Sequence, residues 1–213
     1  MLEAERLQHR YSSGPSVVAG VSLTLKPGEW VGLSGESGAG KTTLGKLLAG
    51  HFPPRSGSVT VAGKPLPRRG LSPVQWLPQA PELAVNPRWK IKHLLNEAWH
   101  PDPATRRIFG IDDAWLERRP HQLSGGELQR ITVVRALAPG VRYLVADEIS
   151  AMLDPLSQVE LWQALRYICT QRQIGILVIS HDTALLDRLC LTGYRMAAGR
   201  LSPRLPTDDS IPA

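Results

Sequence analysis

Gly35-Glu36-Ser37-Gly38-Ala39-Gly40-Lys41-Thr42, followed by Thr43, is the stretch from which the rest of the chain is read. It matches G-x-x-x-x-G-K-[ST], the loop whose backbone N–H groups cradle nucleotide phosphates. Its surroundings suit that role. Trp30-Val31-Gly32-Leu33-Ser34 is a short apolar strand leading in. Thr42 to Gly50 is a helix leading out, with Leu44, Leu47 and Leu48 on one face. A phosphate so placed meets a helix N-terminus, where unpaired N–H groups and the dipole favour negative charge. The glycines let the backbone close around it. Lys41 is expected to reach the β- and γ-phosphates, and the Thr42 hydroxyl to ligate Mg²⁺.

A second stretch completes that chemistry. Leu144-Val145-Ala146-Asp147-Glu148 is an apolar strand ending in two carboxylates. In a phosphate-loop fold, a strand beside the loop places its C-terminal end over the bound nucleotide. Asp147 is then expected to hold Mg²⁺, usually through water, and Glu148 to act as general base or to position the attacking water. Alone, an Asp-Glu pair reads better as a solvated strand end; beside Lys41 the site reading prevails. A third stretch, Leu123-Ser124-Gly125-Gly126-Glu127-Leu128-Gln129-Arg130, contains a capping box, Ser124-x-x-Glu127, opening a helix over Leu128 to Leu137. Its two glycines would let a phosphate approach that helix start.

The composition sets bounds. The chain has 213 residues, 42% hydrophobic and 21% charged, ordinary for a soluble globular domain with room for one subdomain. Met1-Leu2-Glu3-Ala4-Glu5-Arg6 is too acidic for a signal peptide, and no run approaches the roughly 18 apolar residues of a membrane span. Cys169 and Cys190 are isolated and read as reduced core thiols of a cytosolic protein. The net charge of +6 is scattered apart from small clusters, Lys64 with Arg68-Arg69 and Arg118-Arg119, which favours a solvated surface over a nucleic-acid stripe. The six histidines include no pair at i, i+3 or i, i+4, so no transition-metal site is expected.

In chain order, Leu2 to Tyr11 reads as a strand and turn, and Val17 to Leu25 as a half-buried strand, with Val21, Leu23 and Leu25 set against Ser22 and Thr24. Lys26-Pro27-Gly28-Glu29 is a turn, Pro53 to Gly57 a loop, Val59-Thr60-Val61 a strand and Ala62-Gly63-Lys64 a turn. Val74 to Gln79 reads as a strand ending at a polar residue. From Arg88 to Pro120 the sequence is strand-poor, with helical stretches at Ile91 to Trp99, Pro103 to Phe109 and Asp112 to Arg118. A helical subdomain, about 88–139, is therefore expected inside the core. Strand Tyr143–Ala146, helix Pro155–Gln171, strand Gly175–Ile179 and helix Thr183–Cys190 restore α/β alternation. Met196-Ala197 and Gly199-Arg200-Leu201 suggest a closing hairpin, and Ser202 to Ala213 a loose tail after a single domain spanning 1–201. The fold class is α/β: a mixed-sheet core with an antiparallel β subdomain and an inserted helical subdomain.

The residues Leu123 to Arg130 resemble the signature of the ATP-binding-cassette family. The order phosphate loop, Gln79, signature, Asp147-Glu148, His181 is the family's order, and the resemblance runs from Tyr11 to about Leu201. It implies a phosphate-loop NTPase that binds ATP with Mg²⁺ and works as a head-to-tail dimer. Each ATP is then held by Gly35, Glu36, Ser37, Gly38, Ala39, Gly40, Lys41, Thr42 and Thr43 of one chain and by Ser124, Gly125 and Gly126 of the other. By position, Tyr11 matches the aromatic residue that stacks on adenine. Gln79 matches the glutamine that contacts Mg²⁺ or the attacking water and senses the membrane partner. His181 matches the switch histidine at the γ-phosphate. Ala151-Met152-Leu153-Asp154 occupies the loop crossing the dimer interface, with Ala151 and Met152 where the family often has Ser and Ala.

Ala84-Val85-Asn86-Pro87-Arg88 resembles the Ser-Leu-Asn-Pro-Arg segment of the dipeptide, oligopeptide and nickel importer ATPases, and Glu36-Ser37-Gly38 suits the same group. That resemblance implies two permease subunits, a second and non-identical cassette, an extracytoplasmic binding protein acting indirectly, and a place on the cytoplasmic face of the inner membrane. Metal or metal-chelate cargo ranks first and peptide second. The alternative is a cassette ATPase without a transport role, in phosphonate metabolism, DNA repair or translation; the repair and translation types carry long coiled-coil insertions or two cassettes per chain.

Overall fold

The computed structural model describes residues 1–12 and 14–204. The chain divides into two compact units, one comprising 1–76, 142–147 and the chain from 173 onward, the other 77–141 and 148–172. The second unit is wider than the helical insertion expected over 88–139, because it gathers the long helix that follows Glu148 as well as the inserted segment.

The first unit is built on two sheets. In one, β1 (Leu2–His9), β2 (Val18–Leu25), β4 (Ser56–Val61) and the two-residue β5 (Lys64–Pro65) lie in the order β2-β1-β4-β5. β1 pairs antiparallel with β2 and β4, and β4 with β5. The alternation read in β2 holds: Val21, Leu23 and Leu25 are buried while Ser22 and Thr24 are exposed. β4 begins at Ser56, inside the stretch expected to be loop, because pairing of Glu5 with Ser58 and Gln8 with Ser56 extends the ladder past the apolar residues.

The second sheet has β3 (Trp30–Gly35), β6 (Val74–Leu77), β7 (Tyr143–Asp147), β8 (Gly175–Ile179), β9 (Thr192–Ala197) and β10 (Arg200–Pro203), in the order β10-β9-β3-β8-β7-β6. β3 pairs parallel with β8 and β9, β8 parallel with β7, and β10 antiparallel with β9, so the sheet is mixed. β7 and β8 are buried along their whole length, as parallel strands covered on both faces are. Helix α1 (Lys41–Leu48) buries Leu44, Leu47 and Leu48 in a core shared with Leu2, Leu25, Leu33, Val145 and Ile179. Each such side chain contributes about 1.5–3 kcal/mol by leaving water.

The hairpin expected around Met196 is present, but its first strand starts earlier, at Thr192, and is a full member of the main sheet. Ser202 and Pro203, expected in a loose tail, are the last residues of β10; residues 205–213 of that tail lie outside the described residues. α6 (Thr183–Leu189) is capped by Asp182, whose carboxylate accepts the Leu185 N–H at 3.0 Å.

The second unit is helical, with α2 (Ile91–Leu95), α3 (Pro103–Ile108), α4 (Gly125–Arg135) and α5 (Pro155–Arg172). In α5, Leu161, Trp162, Ala164, Leu165, Ile168 and Cys169 form a buried face at helical spacing. Burial pushes the Cys169 thiol up to about 12. The stretch from Asp112 to Arg118 forms only a short 3₁₀ turn over Asp113–Trp115. Asp112 caps that turn by accepting the Ala114 N–H at 2.8 Å, and the turn goes no further because the Leu116 and Arg118 carbonyls accept the Lys92 and Ile91 N–H groups. α4 starts three residues before the expected Leu128 because Ser124 is itself the cap.

Candidate functional site

The phosphate loop connects β3 to α1 as the sequence implies. Gly40 caps α1 in the left-handed conformation with φ 105° and ψ 6°, and no side chain caps the helix there. The helix N-terminus is thus dressed by backbone alone, the arrangement that receives an anion. Two glycines are required by contact as well as by torsion. A Cβ on Gly35, at φ 149°, would run into the Met196 carbonyl; one on Gly40 would strike the Val17 carbonyl and stand 2.9 Å from the Met196 methyl. Met196 reaches that position through β9, which pairs Gly35 with Met196. Lys41 folds back over the loop, its Nζ donating to the Gly35 carbonyl at 2.6 Å and the Glu36 carbonyl at 2.9 Å. Glu36, Ser37, Gly38 and Thr42 are exposed on the loop.

Tyr11 lies on the same helix start. Its hydroxyl shares a 3.2 Å hydrogen bond with Thr43 Oγ1, its ring packs edge-on against His9 at 5.0 Å, and 53% of its surface is exposed. His181 follows β8, and the Ser180 hydroxyl beside it accepts the Asp182 N–H at 3.0 Å. His181, Gly35 and Glu36 line one groove of about 650 Å³, together with Arg195 and Arg204. The switch histidine expected from resemblance and the phosphate loop therefore share a groove.

Asp147 ends β7 almost fully buried and accepts the Trp76 indole N–H at 3.3 Å. The Thr42 hydroxyl and the Asp147 carboxylate are hard oxygen donors, the kind Mg²⁺ takes alongside water and phosphate oxygens. The two residues fit that ion. Trp76 was not identifiable as a site neighbour from sequence, where it reads as a strand residue.

The remaining expected residues belong to the second unit. Gln79 is exposed two residues beyond β6, which ends at Leu77. Ser124 and Glu127 form the capping box: the Glu127 N–H donates to Ser124 Oγ at 3.2 Å and the Ser124 N–H to Glu127 Oε2 at 2.6 Å. Gly126 is fixed by packing, since a Cβ there would stand 2.9 Å from Leu153 Cδ2. Ser124, Gly125 and Gly126 border a groove of about 590 Å³ with Met152 and Asp154. Met152 is 71% exposed at its rim. Asp154 lies below the usual carboxylate range, held first by the Ser157 hydroxyl and then by the Ser157 and Leu156 N–H groups, and it opens α5. Glu148 has φ 54°, a left-handed conformation costly for a residue with a Cβ and typical of functional positions.

Comparison with known proteins gives the same reading. The family model described as ABC transporter matches residues 18–151. The chain is 33% identical to the nickel import ATP-binding protein NikE of Shigella dysenteriae over 99% of this chain and 89% of that protein. It is 32% identical to the protein of the same name from Rhodospirillum rubrum, over 92% and 77%. A solved ATP-binding subunit of an ABC transporter superposes with TM-score 0.84 at 25% identity, over 98% of this chain and 91% of that one. An ATP-binding cassette bound to ADP and phosphate shares the fold, with TM-score 0.80 at 18% identity over 97% and 99%. With the phosphate loop, the capping-box signature and the paired carboxylates in one chain, the protein belongs to the ABC transporter family as an ATP-hydrolysing cassette.

Proposed function

We propose that the chain energises a membrane importer for nickel or a metal chelate, with di- or oligopeptide as the second choice of cargo. The observation that carries this reading is 33% identity, along nearly the whole chain, to a nickel import ATP-binding protein. The Asn86-Pro87-Arg88 segment seven residues after Gln79 supports the same group. Among the described residues no helix is long and apolar enough to cross a membrane, and on this reading other chains supply the pathway for cargo. On this reading those chains are two permeases at the cytoplasmic face of the inner membrane, fed by an extracytoplasmic binding protein. A second, non-identical cassette completes the pair.

The residues divide the work. Tyr11 stacks on adenine, and the loop Gly35–Thr43 wraps the phosphates by its N–H groups while Lys41 exchanges its two carbonyl partners for phosphate oxygens. Thr42, Asp147 and Gln79 hold Mg²⁺, which when bound neutralises charge on the phosphates. Glu148 takes a proton from the attacking water and His181 steadies the γ-phosphate. Ser124, Gly125 and Gly126 of the partner cassette close over the nucleotide, the helix start facing the γ-phosphate. Closure has differential affinity for ATP over its products, which is what lets nucleotide shift the permease between states.

The test is purification of the tagged chain, carrying Glu148→Gln, from solubilised native membranes in MgATP. Recovery of two permeases and a second cassette is expected, with the associated binding protein taking up nickel or a metal chelate when assayed on its own. Recovery with soluble enzymes alone, or with nucleic acid, contradicts the importer reading.

A further inference from the structure

Trp76 occupies the third position of β6, at the edge of the main sheet beside β7, and its side chain is half-buried. Three groups converge on its indole. The ring N–H donates to Asp147 Oδ2 at 3.3 Å. Lys46 Nζ stands over the ring face, 4.7 Å from the centroid. The His51 ring meets it edge-on at 5.3 Å. Lys46 is in the last turn of α1 and His51 lies just beyond that helix, so both come from the element that the phosphate loop opens. One aromatic side chain thus ties the phosphate-loop helix to the carboxylate that ends β7.

The chemistry of this arrangement is specific. A carboxylate turns easily about its last bond, and a metal-binding carboxylate held by a hydrogen bond keeps the oxygen orientation that the metal needs. Only a donor can supply that bond; the aliphatic residues that usually fill a buried strand cannot. The cation over the ring favours a fixed ring plane, and the ring plane fixes where its N–H points. We infer that Trp76 is a positioning residue for Asp147, orienting its carboxylate toward the Mg²⁺ that accompanies ATP and coupling that orientation to the phosphate-loop helix. This rests on the reading of Asp147 as the Mg²⁺ carboxylate.

The experiment measures ATP affinity with and without Mg²⁺ in the full chain, in a Glu148→Gln background so that nucleotide is not consumed. The ratio of the two affinities is the Mg²⁺ gain. Trp76→Phe keeps a ring against Lys46 and His51 and removes the N–H. It is expected to leave metal-free ATP affinity within about two-fold and to cut the Mg²⁺ gain about three- to ten-fold, at the modest end for residues behind a metal ligand. An unchanged Mg²⁺ gain, or a fall in metal-free affinity and Tm without a change in the gain, overturns the positioning role.

Asp147→Asn separates the two levels of the argument. If Asp147→Asn keeps the full gain, the metal assignment itself fails. If it loses the gain while Trp76→Phe keeps it, only the role of Trp76 fails. Should Trp76→Phe not fold, the ¹⁵N–¹H indole resonance of Trp76 serves instead. It is expected to shift when Asp147→Asn removes the charged acceptor, and a resonance that stays in place overturns the proposal.

Discussion

The two units hold their expected site residues by different means. In the first, the residues sit at strand ends and in a loop whose glycines have no room for a methyl group: Gly35 lies against Met196 and Gly40 against Val17. Asp147 is buried and bonded to Trp76. In the second, apart from Gly126 packed against Leu153, they sit on caps and short turns tied by polar contacts. The Ser124–Glu127 box, the Arg130–Glu160 pair at 2.8 Å, the Arg135–Glu97 pair at 3.0 Å and the Glu117 pairs with Lys90 and Lys92 at 2.7 Å are of this kind. Close packing fixes position with little latitude. Exposed polar ties fix it weakly and break at lower cost. The phosphate cradle is held by the first means and the capping-box stretch chiefly by the second.

That contrast can be broken at named positions. The largest effect is expected at Gly40→Ala, where a methyl group meets Val17 and Met196 at positive φ. A loss of about 3 kcal/mol of stability together with nucleotide binding is predicted, from overpacking and left-handed strain combined. Gly38→Ala, at φ 78° but with open space around it, should cost only about 1 kcal/mol. Chemical denaturation of the two variants checks this; equal losses would show that packing around the loop is not what constrains it.

In the second unit, Ser150→Ala is next. Ser150 is buried, and its hydroxyl accepts from Trp162 Nε1 at 3.0 Å and Gln158 Nε2 at 2.9 Å. Removing that acceptor should lower stability by about 1–2 kcal/mol. Ser124→Ala should cost about 1 kcal/mol, the usual value of a lost helix cap, and fray the start of α4 in hydrogen exchange. If Ser124→Ala proves as damaging as Gly40→Ala, the division between the units is wrong.

The smallest effect concerns charge. Hydrogen bonds from Lys90 first and Lys92 second lower the Glu117 carboxyl from 4.5 to about 2. Because the folded value is depressed, its stabilisation is present above about 4.5 and lost as pH falls toward 2. In NMR titration, Lys90→Met with Lys92→Met should return Glu117 toward 4.5, with little change in Tm at neutral pH. A titration near 4.5 in the unmodified chain would remove the ion pairs from the account.

Much of the site is legible in sequence because its parts are local. Gly35 to Thr42 and Ser124 to Glu127 each carry their geometry within a few residues, and turn or cap chemistry at that range is independent of the rest of the chain. What was not legible is long-range. The Trp76–Asp147 bond joins residues 71 positions apart and exists only because the sheet order sets β6 beside β7. Met196 could not be read as the wall behind Gly35, since Met196-Ala197 looks like half a hairpin until β9 pairs parallel with β3. Asp112 to Arg118 misled in the other direction: its composition permits a helix, but the Leu116 and Arg118 carbonyls are taken by the distant Lys92 and Ile91 N–H groups.

The most direct test sets one residue from each unit against the other, measuring MgATP binding and turnover of the chain with Lys41→Ala and with Glu148→Gln. The account predicts that Lys41→Ala loses nucleotide affinity at least ten-fold, at least about 1.4 kcal/mol. Glu148→Gln should keep affinity while turnover falls by roughly two or more orders of magnitude, the scale of a lost general base. Wild-type turnover in Glu148→Gln, or unchanged affinity in Lys41→Ala, would contradict it.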